Sequence, residues 1–216
     1  MIARTPPIVP PDPPIRLAVC VSGGGTTLQN LVDRIASGLL VAEVVQVIAG
    51  RPGLGAIGRA EAAGLPVAVE ARSGRSVLEH SSAIFDRVRA SGADLVILGG
   101  FLSLLKIPGD YEGRVINVHP SLIPSFSGKG FYGLKVHQAA IDTGVKLSGC
   151  TVHFVDDTYD TGPIIFQIPV PVLATDTAST LTARVFEAEC DALPEAIALY
   201  ASGKLRIEGR RVVILA

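Results

Sequence analysis

Residues 17–38 read Leu-Ala-Val-Cys-Val-Ser-Gly-Gly-Gly-Thr-Thr-Leu-Gln-Asn-Leu-Val-Asp-Arg-Ile-Ala-Ser-Gly. The first five are apolar without alternation, which predicts a strand covered on both faces, as in a parallel sheet. Three glycines follow. Leu28, Leu31, Val32 and Ile35 then recur at helical spacing until Gly38 stops the pattern. A strand that passes through a glycine turn into a helix is the opening of an α/β unit. The pattern repeats outward along the chain. Short apolar runs at 44–49, 67–69, 95–98 and 115–118 predict further strands, with helices at 56–63 and 77–90. Strands alternating with helices predict a single doubly wound, mostly parallel sheet.

The rhythm changes after Pro120. Residues 120–132 are rich in Pro, Ser and Gly and predict a loop. A helix is expected at 134–142. Strands at 150–155 and 164–172, joined by the 156–163 loop, predict a hairpin-like antiparallel addition. A long helix is expected at 177–200 and a terminal hairpin from 204–207 and 212–215. Neither an internal repeat nor an interdomain linker is visible, so residues 15–216 read as one domain.

The chain has 216 residues, 48% hydrophobic and 18% charged, with a formal charge of −1. That balance disfavours a nucleic-acid partner, which calls for a basic excess. The apolar runs are too short for a membrane span, so no membrane partner is expected. Three cysteines, Cys20, Cys150 and Cys190, are far apart and show neither metal nor disulfide spacing; buried free thiols in a cytoplasmic setting are the expectation. Residues 1–14 hold Pro6, Pro7, Pro10, Pro11, Pro13 and Pro14, lack the apolar core of a signal peptide, and read as an extended or disordered tail.

Two features carry chemistry. Gly23, Gly24 and Gly25, between the first strand and helix, permit a sharp turn and close approach of a ligand. The N–H groups of the first helical turn attract an anion, and Thr26 and Thr27 place hydroxyls at the cap. The pattern is neither G-x-G-x-x-G nor a Walker motif, so a single phosphate fits better than a dinucleotide.

The second feature is Arg-Val-Ile-Asn-Val-His-Pro-Ser at 114–121. Strand alternation puts Asn117 and His119 on one face at a strand end, the edge where open α/β sheets bind ligands. An amide donor can hold an oxyanion and an imidazole can move a proton. Asp156, Asp157 and Asp160 are competing carboxylates, and spacing does not choose among them. His80 is expected on a surface helix, His137 fits either role, and His153 is expected to pack near the site without acting. No pair has metal spacing. With no G-x-S-x-G elbow and no marked Cys nucleophile, the attacking atom is expected from the substrate.

These residues resemble the phosphoribosylglycinamide formyltransferases across about 15–207. The resemblance rests on Ser22-Gly23-Gly24-Gly25-Thr26, Gly100-Phe101-Leu102 and the run Asn117-Val118-His119-Pro120-Ser121-Leu122-Ile123-Pro124. It continues in Gly128-Lys129-Gly130-Phe131-Tyr132-Gly133 with His137, Thr151-Val152-His153-Phe154-Val155, Asp160-Thr161-Gly162-Pro163, and Thr182-Ala183-Arg184-Val185 with Glu189. It implies a Rossmann-like formyltransferase fold. The implied reaction moves a formyl group from 10-formyltetrahydrofolate, a co-substrate, to the amine of glycinamide ribonucleotide in purine biosynthesis, with no metal. Asn117, His119 and Asp160 would be catalytic. Gly25, Thr26 and Thr27 would bind the substrate phosphate, with Pro120 beside the substrate and Glu189 on the ribose hydroxyls. Leu102, Ser103, Leu104, Leu105, Asn117, Asp156, Asp157 and Asp160 would line the folate pocket. The family's folate-side arginine meets Arg75 only across a gap.

Other departures are Thr27 for the usual Asn, Ser103 for a basic residue, and Ala49-Gly50 for Ser-Asn. A homodimer is left open. A formyltetrahydrofolate hydrolase, which shares the trio but normally carries an N-terminal regulatory domain, is the nearest alternative. A non-catalytic phosphosugar-binding protein is another; it would keep the glycine loop without needing the trio.

Overall fold

The computed structural model describes residues 13–215; the proline-rich segment 1–12 lies outside the described residues. Five parallel strands open the chain: β1 (Ile15–Val21), β2 (Ala42–Ala49), β3 (Val67–Val69), β4 (Leu95–Leu98) and β5 (Val115–His119). Helices α1 (Thr26–Ala36), α2 (Gly55–Ala62) and α3 (Val77–Ser91) connect the first four. The chain continues through α4 (Leu134–Thr143), β6 (Leu147–Phe154), β7 (Ile164–Pro171), α5 (Ala178–Ala201), β8 (Leu205–Glu208) and β9 (Arg211–Ile214). Sheet order is β3-β2-β1-β4-β5-β6-β7-β9-β8. β5, β6 and β7 pair antiparallel, so the expected doubly wound sheet with antiparallel additions is what forms. Observed boundaries differ from the expected ones by a few residues, most at β6, which starts at Leu147 rather than 150.

β1 shows why its apolar run lacks alternation. Leu17, Val19 and Val21 join one core layer with Leu28 and Leu31 of α1 and Ala56 and Ala60 of α2. Ala18 and Cys20 face the other layer, with Ile84, Phe85 and Val88 of α3. Both faces are dry. Each fully buried Leu or Val contributes about 1.5–3 kcal/mol relative to exposure.

Because β1, β4 and β5 run parallel, their carboxyl ends reach one edge. The chain winds from β1 to β2 on one side and to β4 on the other, leaving a crevice at that switch point. α5 closes the crevice. Its Pro194 has no N–H for the Cys190 carbonyl four residues back, and Asn30 Nδ2 of α1 takes that carbonyl instead, at 3.1 Å. The proline thereby leaves a carbonyl that ties α5 to α1 beside Glu189.

Two expectations change. His80 is fully buried, not on the surface: α3 turns it onto the Phe101 ring, 6.3 Å between centroids, with Nε2 2.9 Å from the Glu70 carbonyl. Cys20 and Cys150 are buried, and burial pushes both thiols up to about 12, but Cys190 is only half-buried.

Candidate active site

The crevice is a cleft of about 690 Å³ lined by the start of α1, the segment after β4, the end of β5, the 128–133 loop and α5. A small side pocket adjoins it and shares Phe101, Asn117, Tyr159 and Asp160. At the β1 end, α1 starts behind Gly25, whose φ of 80° is left-handed. Gly25 is itself the N-cap and no side chain caps the helix, so the cap is backbone rather than the expected threonine hydroxyls. A Cβ on Gly25 would lie 2.7 Å from Ala56, which adds a close-approach reason for glycine. Thr26 and Thr27, in the first turn, line the cleft.

At the β5 end, Asn117 and His119 both reach the cleft, as alternation requires. The antiparallel register places His153 directly opposite Asn117. His153 Nδ1–H donates to the Phe154 carbonyl at 2.8 Å. Burial pushes the His153 pKa below its usual value, which keeps the ring neutral and Nε2 an acceptor. Asn117 Nδ2 therefore donates to His153 Nε2, at 3.1 Å. That bond fixes which end of the amide is nitrogen and leaves its second N–H for a ligand.

His119 Nε2–H donates to the Phe126 carbonyl at 2.9 Å. A carbonyl only accepts, so Nδ1 is the nitrogen available for chemistry; it faces Asp160 Oδ2 at 3.5 Å. The Phe126 carbonyl is held in turn. Ser121 Oγ donates to it and to the Ser125 carbonyl. Thr151 Oγ1 donates to the Ser121 carbonyl at 2.6 Å and accepts from Ile123 N–H at 3.0 Å.

The structure separates the three carboxylates. Asp160 sits at φ 56°, a left-handed conformation that Asp tolerates better than most residues. Its Oδ2 accepts from Gly128 N–H at 2.8 Å, and Oδ1 is 3.8 Å from His153 Nε2. The neighbouring turn admits no side chain at Gly162, where a Cβ would lie 1.8 Å from the Phe154 carbonyl oxygen. Asp156 closes its own turn through Thr158 N–H and Thr161 Oγ1 and lines the side pocket. Asp157 is taken by Ile107 N–H at 3.0 Å and Lys106 Nζ at 3.2 Å and lines neither space. Asp160 is the carboxylate that meets His119.

Of the remaining candidates, Leu102, Pro120 and Glu189 line the cleft, and Ser103, Leu104 and Leu105 line the side pocket. Arg75 lines neither; Nη1 pairs with Glu70 Oε2 at 2.7 Å, and Arg87 pairs with the same carboxylate. Apolar surroundings push Glu189 up to about 8. Burial, with the nearby His119, pushes His137 down to about 4, so His137 is neutral near pH 7. His153 is the residue that sequence reasoning undervalued. Its alternation with apolar neighbours is visible, but its partner depends on the β5–β6 register, which no local signal gives.

The arrangement offers an aimed amide N–H, a buried imidazole nitrogen facing a partly buried carboxylate, and an uncapped helix start, all on one cleft. Among the described residues, no group of three or more His, Cys, Asp or Glu is placed to hold a metal ion, and no helix is long and apolar enough to cross a membrane.

The chain is similar to known proteins in sequence and fold. A family model described as formyl transferase matches residues 15–197. The crystal structure of glycinamide ribonucleotide transformylase 1 from Symbiobacterium toebii is similar, with a TM-score of 0.88 and 40% identity, over 94% of this chain and 95% of that one. The phosphoribosylglycinamide formyltransferase of Haemophilus influenzae is 35% identical over 89% of this chain and 90% of its own length. The trifunctional purine biosynthetic protein adenosine-3 of Gallus gallus is 38% identical over 89% of this chain, which spans 19% of that longer relative.

Proposed function

Because the chain belongs to the formyl transferase family, and within it to the phosphoribosylglycinamide formyltransferases, we propose that it transfers the formyl group of 10-formyltetrahydrofolate to the primary amine of glycinamide ribonucleotide. The observation that carries this reading is the meeting of Asn117, His119 and Asp160 with Thr26 and Thr27, at the start of α1 behind Gly25, on one cleft. Residues 15–216 form the formyltransferase domain, acting in the cytoplasm.

The ribonucleotide phosphate sits on the first-turn N–H groups of α1, with the hydroxyls of Thr26 and Thr27 beside it. Its ribose hydroxyls donate to Glu189, and Pro120 borders the sugar. The folate occupies the side of the cleft formed by Leu102 and the 103–105 and 156–160 segments. The amine attacks the formyl carbon, a C–N bond forms, and the carbonyl oxygen becomes an oxyanion. Asn117 Nδ2–H and the protonated His119 Nδ1 face that charge. Donors of this kind are worth about 3–4 kcal/mol each in the transition state. Asp160 stabilises the imidazolium by charge proximity. The C–N10 bond then breaks. The proton lost by the attacking amine ends on N10, giving tetrahydrofolate and the formylated ribonucleotide, with no net change at His119.

Formyl transfer measured with and without glycinamide ribonucleotide tests the assignment. Acceptor-dependent release of tetrahydrofolate is expected. Equal release without the acceptor would make the protein a hydrolase, and no turnover in either case would make it a phosphosugar binder.

A further inference from the structure

The glycine loop is backed by α2, and the backing converges on one side chain. Arg59 Nε donates to the Gly24 carbonyl at 2.9 Å, and Nη1 donates to Gln29 Oε1 in α1 at 3.3 Å. One turn earlier on the same helix, Ala56 N–H donates to the Gly23 carbonyl at 3.2 Å. A trans peptide is planar, so its C=O and N–H point in opposite directions. With the Gly23 carbonyl drawn toward α2, Gly24 N–H turns away from it. With the Gly24 carbonyl held by Arg59, Gly25 N–H turns away as well. Successive N–H groups turned to one side make an anion-binding concavity, and the uncapped first turn of α1 extends it.

The charge of Arg59 also counts. Several cations near this edge are matched to a carboxylate, as Arg75 and Arg87 are to Glu70 and Lys106 is to Asp157. Arg59 makes its bonds to a carbonyl and an amide oxygen, both neutral. Its positive charge adds to the helix dipole at the start of α1 instead of being cancelled.

We propose that Arg59 is the positioning residue of the phosphate loop: it sets the Gly24–Gly25 peptide with its N–H toward a phosphomonoester and supplies uncancelled positive charge behind the first turn of α1. This deepens the assignment of the ribonucleotide phosphate to the glycine loop and rests on it.

Arg59→Ala, Arg59→Gln and Arg59→Lys separate this role from simple stapling of α2 to α1. In Arg59→Ala, the KM for glycinamide ribonucleotide and the inhibition constant of inorganic phosphate should both rise roughly tenfold, the size of one lost charge-assisted bond. The kcat and the folate KM should stay within about twofold, a spread well below that single-bond effect. Arg59→Lys should recover part of the loss, and Arg59→Gln, with a donor but no charge, less. A lower Tm with unchanged ribonucleotide KM and phosphate inhibition would overturn the proposal, as would equal rises in both substrates' KM. Should Arg59→Ala not fold, Arg59→Gln against Arg59→Lys makes the same comparison. If the wild-type chain transfers no formyl group, the function assignment fails separately and phosphate alone decides. A wild-type Tm raised by inorganic phosphate, with the rise lost in Arg59→Gln, supports the proposal. No rise, or the same rise in both, overturns it.

Discussion

The two ends of the cleft are built from different material. At the β5 end, the proposed chemistry rests on side chains: Asn117, His119, His153 and Asp160, each held by a named partner, with both histidines buried. At the β1 end it rests on backbone: glycine conformations and the N–H groups of a helix start. A side-chain site fails when one functional group changes. A backbone site tolerates side-chain exchange and fails when the chain can no longer take its path. On the proposed function, the departure at Thr27 should therefore matter less than any exchange within the trio.

The largest expected effect lies at the side-chain end. Asp160→Asn keeps the shape but removes the charge opposite His119 Nδ1. Turnover should fall by about 10³-fold, the scale of one lost electrostatic group, while the ribonucleotide KM changes little. Single-turnover kinetics would show it, and near-normal turnover would sink the assignment of Asp160.

Next comes the backbone end. Gly25→Ala demands a left-handed alanine with its methyl 2.7 Å from Ala56. A rise in ribonucleotide KM of roughly 10- to 100-fold is expected, against less than about threefold for Thr27→Val, which leaves every N–H in place and loses at most one weak hydroxyl contact. Steady-state kinetics on both variants checks the contrast; a larger loss for Thr27→Val would show that hydroxyls, not the backbone, hold the phosphate.

His153→Phe sharpens the contrast further. It removes the acceptor that orients Asn117, so kcat should fall about tenfold, as when an outer-sphere partner is lost. If Asn117 needs no such partner, kcat will not move.

The smallest effect concerns Glu189. A carboxyl raised to about 8 in the folded state holds its proton more tightly folded than unfolded. Stability should therefore fall as pH rises from the ordinary carboxylate range to about 8, then level off. Glu189→Gln should flatten that slope in urea titrations at pH 5 to 9. The wild-type ribonucleotide KM should also fall toward pH 8 as the carboxylate forms, a trend absent in the variant.

Much of this could be read from the sequence because it depends on local pattern. Residues 17–38 alone carry the strand, the turn and the helix, since apolar runs and glycines act on their own neighbours. Asn117 and His119 share a face because strand alternation is a local rule. The family resemblance added the reaction. Other features needed distant chain. The competition among Asp156, Asp157 and Asp160 turns on which one Lys106 and Ile107 N–H engage, and those groups lie about 50 residues away. His80 reads as a surface residue until the Phe101 ring is placed beside it.

The sequence by itself determined the fold class, the glycine loop and the Asn117–His119 pair, because periodicity and backbone freedom are properties of neighbouring residues. Only the tertiary structure decided that Asp160 meets His119 Nδ1, that His153 aims Asn117, and that Arg59 holds the Gly24 carbonyl. Each of these joins residues from separate elements at 2.9 to 3.5 Å. Contacts of that kind are set by strand register and helix packing, which appear once the whole sheet is assembled.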